Sequence, residues 1–269
     1  MTSKNNQNHN IPKDHPRYLS LKYRHDIIEG MKNLVVAEAG LIAHGRGECF
    51  DYILGEQTNK AAKEATQAAV ALLLMAKSPI ISVNGNSAAL CSKELAELSN
   101  TIDAPLEINL FYRKEGRVEA IAQILKKAGA NKILGTDETR MIEIKEISSN
   151  RRKVDPNGIK IADVVFVPLE DGDRTESLKK IGKKIIAVDL NPLSRTSIWA
   201  DITIVNNLVR TLPEMIEVAK ILKKLTSGDL EKIVNKFNNR KNIENTLDLI
   251  IDYINTQKKD AFKILNNQI

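Results

Sequence analysis

The sequence has little cysteine, few aromatic side chains and no long apolar run. Its two cysteines, Cys49 and Cys91, lie outside any metal-binding spacing and give no disulfide framework. Both therefore read as small packing residues in a reducing compartment. Aromatic residues make up only 4% of the chain, so a core has to be built from Ile, Leu, Val and Ala. The longest apolar run, "AAVALLLMA", falls well short of the ~20 residues that a membrane helix needs. No charged-then-apolar leader opens the chain, and a cytoplasmic protein without membrane contact is expected. A G-x-x-x-x-G-K-[ST] phosphate loop is missing as well. "GRGECF" imitates the start of G-x-G-x-x-G, but it follows no clear strand and has Phe50 where the third glycine belongs.

Charge of one sign is not scarce. The formal net charge is +6, yet acidic and basic residues are interspersed and no ladder of aromatics and arginines appears. The composition argues against nucleic acid and suits a solvated surface that attracts small phosphorylated anions.

With 269 residues the chain can bury a large core. The polar, Asn-rich residues 1–10 read as a disordered tail, and one α/β domain is expected over 11–269. A helical preface (11–78) contains an amphipathic stretch from Tyr18 to Met31 and an Ala-rich helix over 58–77, with Ala62, Ala65, Ala69, Leu72 and Leu73 on one face. From Pro79 to residue 207, apolar runs alternate with helical patterns: "PIISV", "PLEINLF", "ADVVFVPL", "KKIIAV" and "DITIV". Such runs predict a Rossmann-like, mostly parallel sheet with helices on both faces. Residues 136–161 break the rhythm as an excursion between strands, and 208–269 return to helix as a C-terminal cap.

In an open parallel sheet, ligands bind beyond the carboxyl ends of the strands. Four polar loops fall there: "NGNS", "YRKEGR", "EDGDRTE" and "DLNPLSRT". Each also has a plain structural reading. "NGN" makes a turn unaided, Asp173 with Glu176 fits a helix cap, and Arg113 with Arg117 can simply decorate a helix start. Four such loops on one edge point to a ligand. His44 is either an acid or base or a satisfied structural histidine.

Taken together, "IPKDHPRYLSLKYR", "AGLIAHGRGECFDYILGE", "SVNGNSAAL", "LEINLFYR", "ADVVFVPLEDGDRTE" and "DLNPLSRTSIWADITIVNN" resemble the archaeal 4-phosphopantoate–β-alanine ligases, or phosphopantothenate synthetases, over residues 11–210. The resemblance implies an enzyme of coenzyme A biosynthesis. It would condense 4-phosphopantoate with β-alanine, convert ATP to AMP and pyrophosphate, and work as a homodimer. It also implies ATP contacts at Arg24, Arg46, Asp189, Leu190, Asn191, Arg195, Thr196, Asn207 and Leu208.

Release of AMP suggests an acyl-adenylate, with arginines and a Mg²⁺ ion carried by ATP stabilising the phosphates and no dedicated protein-only metal site. Loop placement nominates Arg113 and Arg174 for the substrate phosphate and Asn84 and Asn86 for the pantoate polar groups. It nominates Asp171 and Asp173 for Mg²⁺ or the β-alanine ammonium. A nicotinamide-dependent oxidoreductase and a nucleotide-sensing module are the alternatives.

Overall fold

The computed structural model describes residues 11–169 and 171–266, so the expected tail at 1–10 lies outside it. Three helices come first: α1 (Tyr18–Lys32), α2 (Glu38–Ile53) and α3 (Lys60–Met75). The Ala-rich α3 starts at Asn59, whose side chain accepts from the Ala62 N–H at 2.8 Å. Ala62, Ala65, Ala69 and Leu73 are buried as their spacing predicts.

The alternating part runs β1 (Pro79–Val83), α4 (Gly85–Ile102), β2 (Leu106–Ile108), α5 (Arg117–Lys127) and β3 (Ile133–Leu134). The excursion holds a short antiparallel pair, β4 (Ile142–Glu143) and β5 (Lys153–Val154). Then follow β6 (Val164–Pro168), α6 (Gly172–Lys180), β7 (Lys184–Val188), α7 (Arg195–Trp199) and β8 (Ile202–Ile204). Helices α8 (Leu208–Leu222), α9 (Ser227–Lys236) and α10 (Asn239–Asn266) complete the chain.

Six strands form one sheet in the order β3-β2-β1-β6-β7-β8, and every pairing in it is parallel. The chain winds outward from β1 to β3 and then returns to lay β6 on the other side of β1. The β1/β6 boundary is thus the topological switch point, where neighbouring loops diverge and leave a crevice. Ile81, Val83, Phe166 and Ile186 face a core closed by α3, α4, α5 and α8. Ile80, Val165, Val167 and Ile185 face the opposite core, closed by Leu178 of α6 and by Ile144, Ile147, Val154 and Ile159 of the excursion. The irregular segment therefore does the work of a helix, covering the second face of the sheet.

A buried carboxyl holds that segment in place. Glu107 of β2 is fully buried and accepts the Asp155 N–H at 3.1 Å and the Ile159 N–H at 2.5 Å. A Cβ on Gly158 would lie 1.9 Å from its Oε2, so only glycine permits this approach. Burial outweighs the two backbone donors and the Arg174 charge, lifting the Glu107 carboxyl from the ordinary 4.5 up to about 7. A carboxyl with a raised folded-state pKa stabilises fully below pH 4.5, and the contribution is lost as pH rises through about 7. Relative to Glu107→Gln, the protein is expected to lose about 3 kcal/mol across that window. Denaturant unfolding of both proteins at the two pH limits checks this, and parallel curves would contradict it.

The cysteine expectation holds for Cys91, which is buried, and not for Cys49, which is exposed on α2. "GRGE" lies inside that helix, where no dinucleotide loop exists. Among the described residues no helix is long and apolar enough to cross a membrane.

Candidate active site

A cleft of about 800 Å³ opens at the carboxyl ends of β1, β6 and β7, with α2 and the start of α8 along its rim. The sequence of each loop explains how it gets there. At the end of β1, Asn84 caps α4 by accepting the Ser87 N–H at 2.9 Å, while its Nδ2 donates to the Pro168 and Leu169 carbonyls at 2.9 and 3.0 Å. Asn84 therefore ties the two strands of the switch point together. Leu169, next along, takes a left-handed backbone at φ 53°, a conformation that costs a leucine of order 1 kcal/mol or more. Asn86 donates to the Gly40 carbonyl at 2.8 Å and fixes α2 over α4.

The loop after β7 is organised by its own polar residues. Asp189 accepts the Asn191 N–H at 2.9 Å, Asn191 accepts the Leu193 N–H at 2.9 Å, and Ser194 caps α7 through the Ser197 N–H at 3.0 Å. The Ser194 hydroxyl also donates to Asp189 Oδ2 at 2.5 Å. Burial raises the Asp189 carboxyl, while Ser194, the Asn191 N–H and the Arg46 charge pull it down. Arg46 stands exposed on α2 and makes no hydrogen bond or ion pair with a described residue. Leu190 is buried against Leu54, Val205 and Ile250 while still lining the cleft.

Other groups hold one another. Arg195 pairs with Asp173 and Glu176 of α6. Asn207 caps α8 and donates to Asp51 Oδ2 at 2.7 Å, and Arg210 grips the same carboxylate at 2.5 Å. These bonds bind α2 to α8 across the rim. His44 lines the cleft with a buried Nε2 that has no partner among the described residues, and burial lowers its pKa. The imidazole is neutral near pH 7 and can accept a proton there.

The cleft thus gathers Arg46, Asp189, Leu190, Asn191, Arg195, Thr196, Asn207, Asn84, Asn86, His44 and Asp171. Five expected residues do not line it. Arg24 is turned to Glu48, at 2.8 Å, and to the Tyr52 hydroxyl. Leu208 is buried in the core. Arg113 lies in the loop before α5 and pairs with Glu138 at 2.9 Å. Arg174 is fully buried with Nη1 donating to Ser82 at 3.2 Å. Asp173 holds Arg195, and the cap of α6 is Asp171, which accepts the Arg174 N–H at 2.9 Å.

Among the charged residues of the lining to which the sequence reading gave no role in the site are Asp51, Arg117, Arg151 and Arg210. Arg151 comes from the excursion and pairs with Asp171 at 3.1 Å. No periodicity marks that segment, so only the fold reveals it. Asp51 and Arg210 lie on helices whose pairing across the rim has no signal in local sequence.

Comparison with known proteins gives one consistent result. The sequence profile of the family described as phosphopantothenate/pantothenate synthetase matches residues 61–253. The chain is 54% identical over 238 residues to the 4-phosphopantoate–β-alanine ligase of Thermococcus onnurineus, covering 88% of this chain and 90% of that protein. It is also 44% identical over 251 residues to the protein of that name from Methanosarcina mazei, covering 93% and 98%.

Proposed function

Since the chain belongs to the phosphopantothenate/pantothenate synthetase family, we propose that it joins 4-phosphopantoate to β-alanine as an ATP-consuming, amide-forming ligase of coenzyme A biosynthesis. The observation that supports this best is the meeting of Arg46, Asp189, Asn191, Arg195 and Thr196 in one cleft at the switch point of a parallel sheet. The relatives bear the name of a ligase, which sets aside the oxidoreductase and the sensing module.

A carboxylate resists attack by an amine because oxide is too poor a leaving group, so it has to be activated. In the proposed first step a pantoate carboxylate oxygen attacks the α-phosphorus of ATP, a P–O bond breaks and pyrophosphate leaves. In the second, the β-alanine amine attacks the acyl carbon, AMP leaves and the amine gives up a proton. Charge on phosphate oxygens is met by guanidiniums, whose planar donors match them. Asp189 faces the ribose or the base as an acceptor. A Mg²⁺ ion would arrive with the nucleotide, held chiefly by phosphate and water. When bound, that ion supplies charge neutralisation. A homodimer belongs to the same reading.

Neutral His44 fits the group that takes the amine proton. His44→Gln is expected to lower kcat 10²- to 10⁴-fold. It should also remove an acidic limb lying below pH 6.5, since protonation silences the base. A variant that keeps that limb would release His44 from the role. The reading as a whole is tested by following AMP: it should form from ATP only when 4-phosphopantoate is present, with the amide appearing only when β-alanine is added. AMP formation indifferent to both acids would overturn it.

A further inference from the structure

The arginines of the cleft are not equivalent. Arg151, Arg195 and Arg210 each hold a carboxylate, and Arg46 is open to solvent. Arg117, the first residue of α5, is only 5% exposed and lines the cleft. Its guanidinium donates to the Val35 carbonyl at 2.9 Å and to the Tyr112 carbonyl, and its buried Nε has no hydrogen-bond partner among the described residues. No described carboxylate meets it. Burial alone acts on this guanidinium, pushing its pKa down with no anion to offset the push. A desolvated cation without a counter-charge is costly, and an anionic ligand would remove the cost.

What surrounds Arg117 supports an anion as well. Gly85 begins α4 beside it, so close that a Cβ there would lie 2.8 Å from Arg117 Nη2. The N-terminus of α4 thus lies at this guanidinium, and the positive end of a helix favours negative charge. The sheet order sets the separation. The Arg117 guanidinium sits beside Gly85 at the end of β1, whereas Asp189 and Arg195 follow β7, two strand spacings away or about 10 Å.

Resting on the ligase reading, we propose that Arg117, with the N-terminus of α4, receives the phosphate of the phosphorylated acid, a phosphomonoester dianion. The acid's carboxylate has to reach the α-phosphorus on the β7 side, so its phosphate extends towards β1. This moves the phosphate away from Arg113 and Arg174, which face other partners.

The test compares 4-phosphopantoate with unphosphorylated pantoate in the wild type, Arg117→Met and Arg117→Lys. Arg117→Met is expected to raise KM for 4-phosphopantoate about 100-fold, to leave KM for ATP within a factor of two, and to abolish the preference for the phosphorylated acid. Arg117→Lys should recover part of that preference. Equal losses on both acids would make Arg117 structural and overturn the assignment. Because Arg117 also braces Val35 and Tyr112, ³¹P NMR of 4-phosphopantoate on the unmutated protein provides a second reading that needs no variant. Bound beside a guanidinium, the phosphate should titrate below its free value of about 6. An unshifted titration would equally overturn the proposal. A wild type that forms no AMP with either acid would instead refute the ligase reading.

Discussion

Replacing Arg46 with alanine is expected to reduce kcat/KM for ATP about 100-fold while leaving stability within 0.5 kcal/mol of the wild type. The two halves of that expectation come from the same fact. Arg46 stands exposed on α2 without a hydrogen bond or ion pair to any described residue, so its removal breaks nothing in the fold. Its charge nonetheless reaches Asp189 across the cleft. A charge-assisted contact to phosphate contributes ~1.5–3 kcal/mol, which sets the scale of the loss. Arg46→Lys keeps the charge but not the planar fork and should fall between the two. Steady-state kinetics with a denaturation curve decide the matter, and an unchanged KM for ATP would exclude Arg46 from nucleotide binding.

The second large effect concerns Gly85. An added Cβ would meet the Val35 carbonyl oxygen at 2.2 Å and Arg117 Nη2 at 2.8 Å. The first of these is backbone and cannot swing aside, so the segment before α2 or the start of α4 has to move. Gly85→Ala is expected to destabilise by about 3 kcal/mol and to remove nearly all activity, because it disturbs the same corner of the cleft that seats Arg117. Gly45 is the contrast. It lies within α2 with nothing near a Cβ, and Gly45→Ala should stabilise by about 0.5–1 kcal/mol through helix propensity alone. Melting the two variants side by side tests the argument: a Gly85→Ala protein as stable as Gly45→Ala would show that the contact yields.

Much of this was legible in the residues. "PIISV" and "KKIIAV" announced buried parallel strands because apolar side chains on both faces leave no alternation. The polar run after Val188 announced a special loop, although much of its polarity serves the loop itself, through Asp189, Asn191 and Ser194. Choices between neighbours were harder to make. Arg113 and Arg117 look alike on paper, but α5 begins only after Gly116, which turns Arg117 inward and leaves Arg113 to Glu138. Asp171 and Asp173 differ by two positions, and the start of α6 decides which one caps and which one pairs. The short edge strand β3 has two residues, too few for a pattern to register. Glu107 stands in the middle of an apolar strand without any local signal for its role, and only the excursion packed against it explains its presence.

The way β1 and β6 are joined has a consequence for how the protein comes into being. Asn84 bonds to the carbonyl of Pro168, 84 residues further on, and no shorter piece of chain can close that contact. On the ribosome, the first three strands can emerge and pair while the crevice beside them is still one-sided. A nascent chain ending before Val164 would carry Arg117 and Gly85 yet lack the wall opposite. Competence for nucleotide should therefore arrive late in synthesis, after β7 and β8 have joined the sheet.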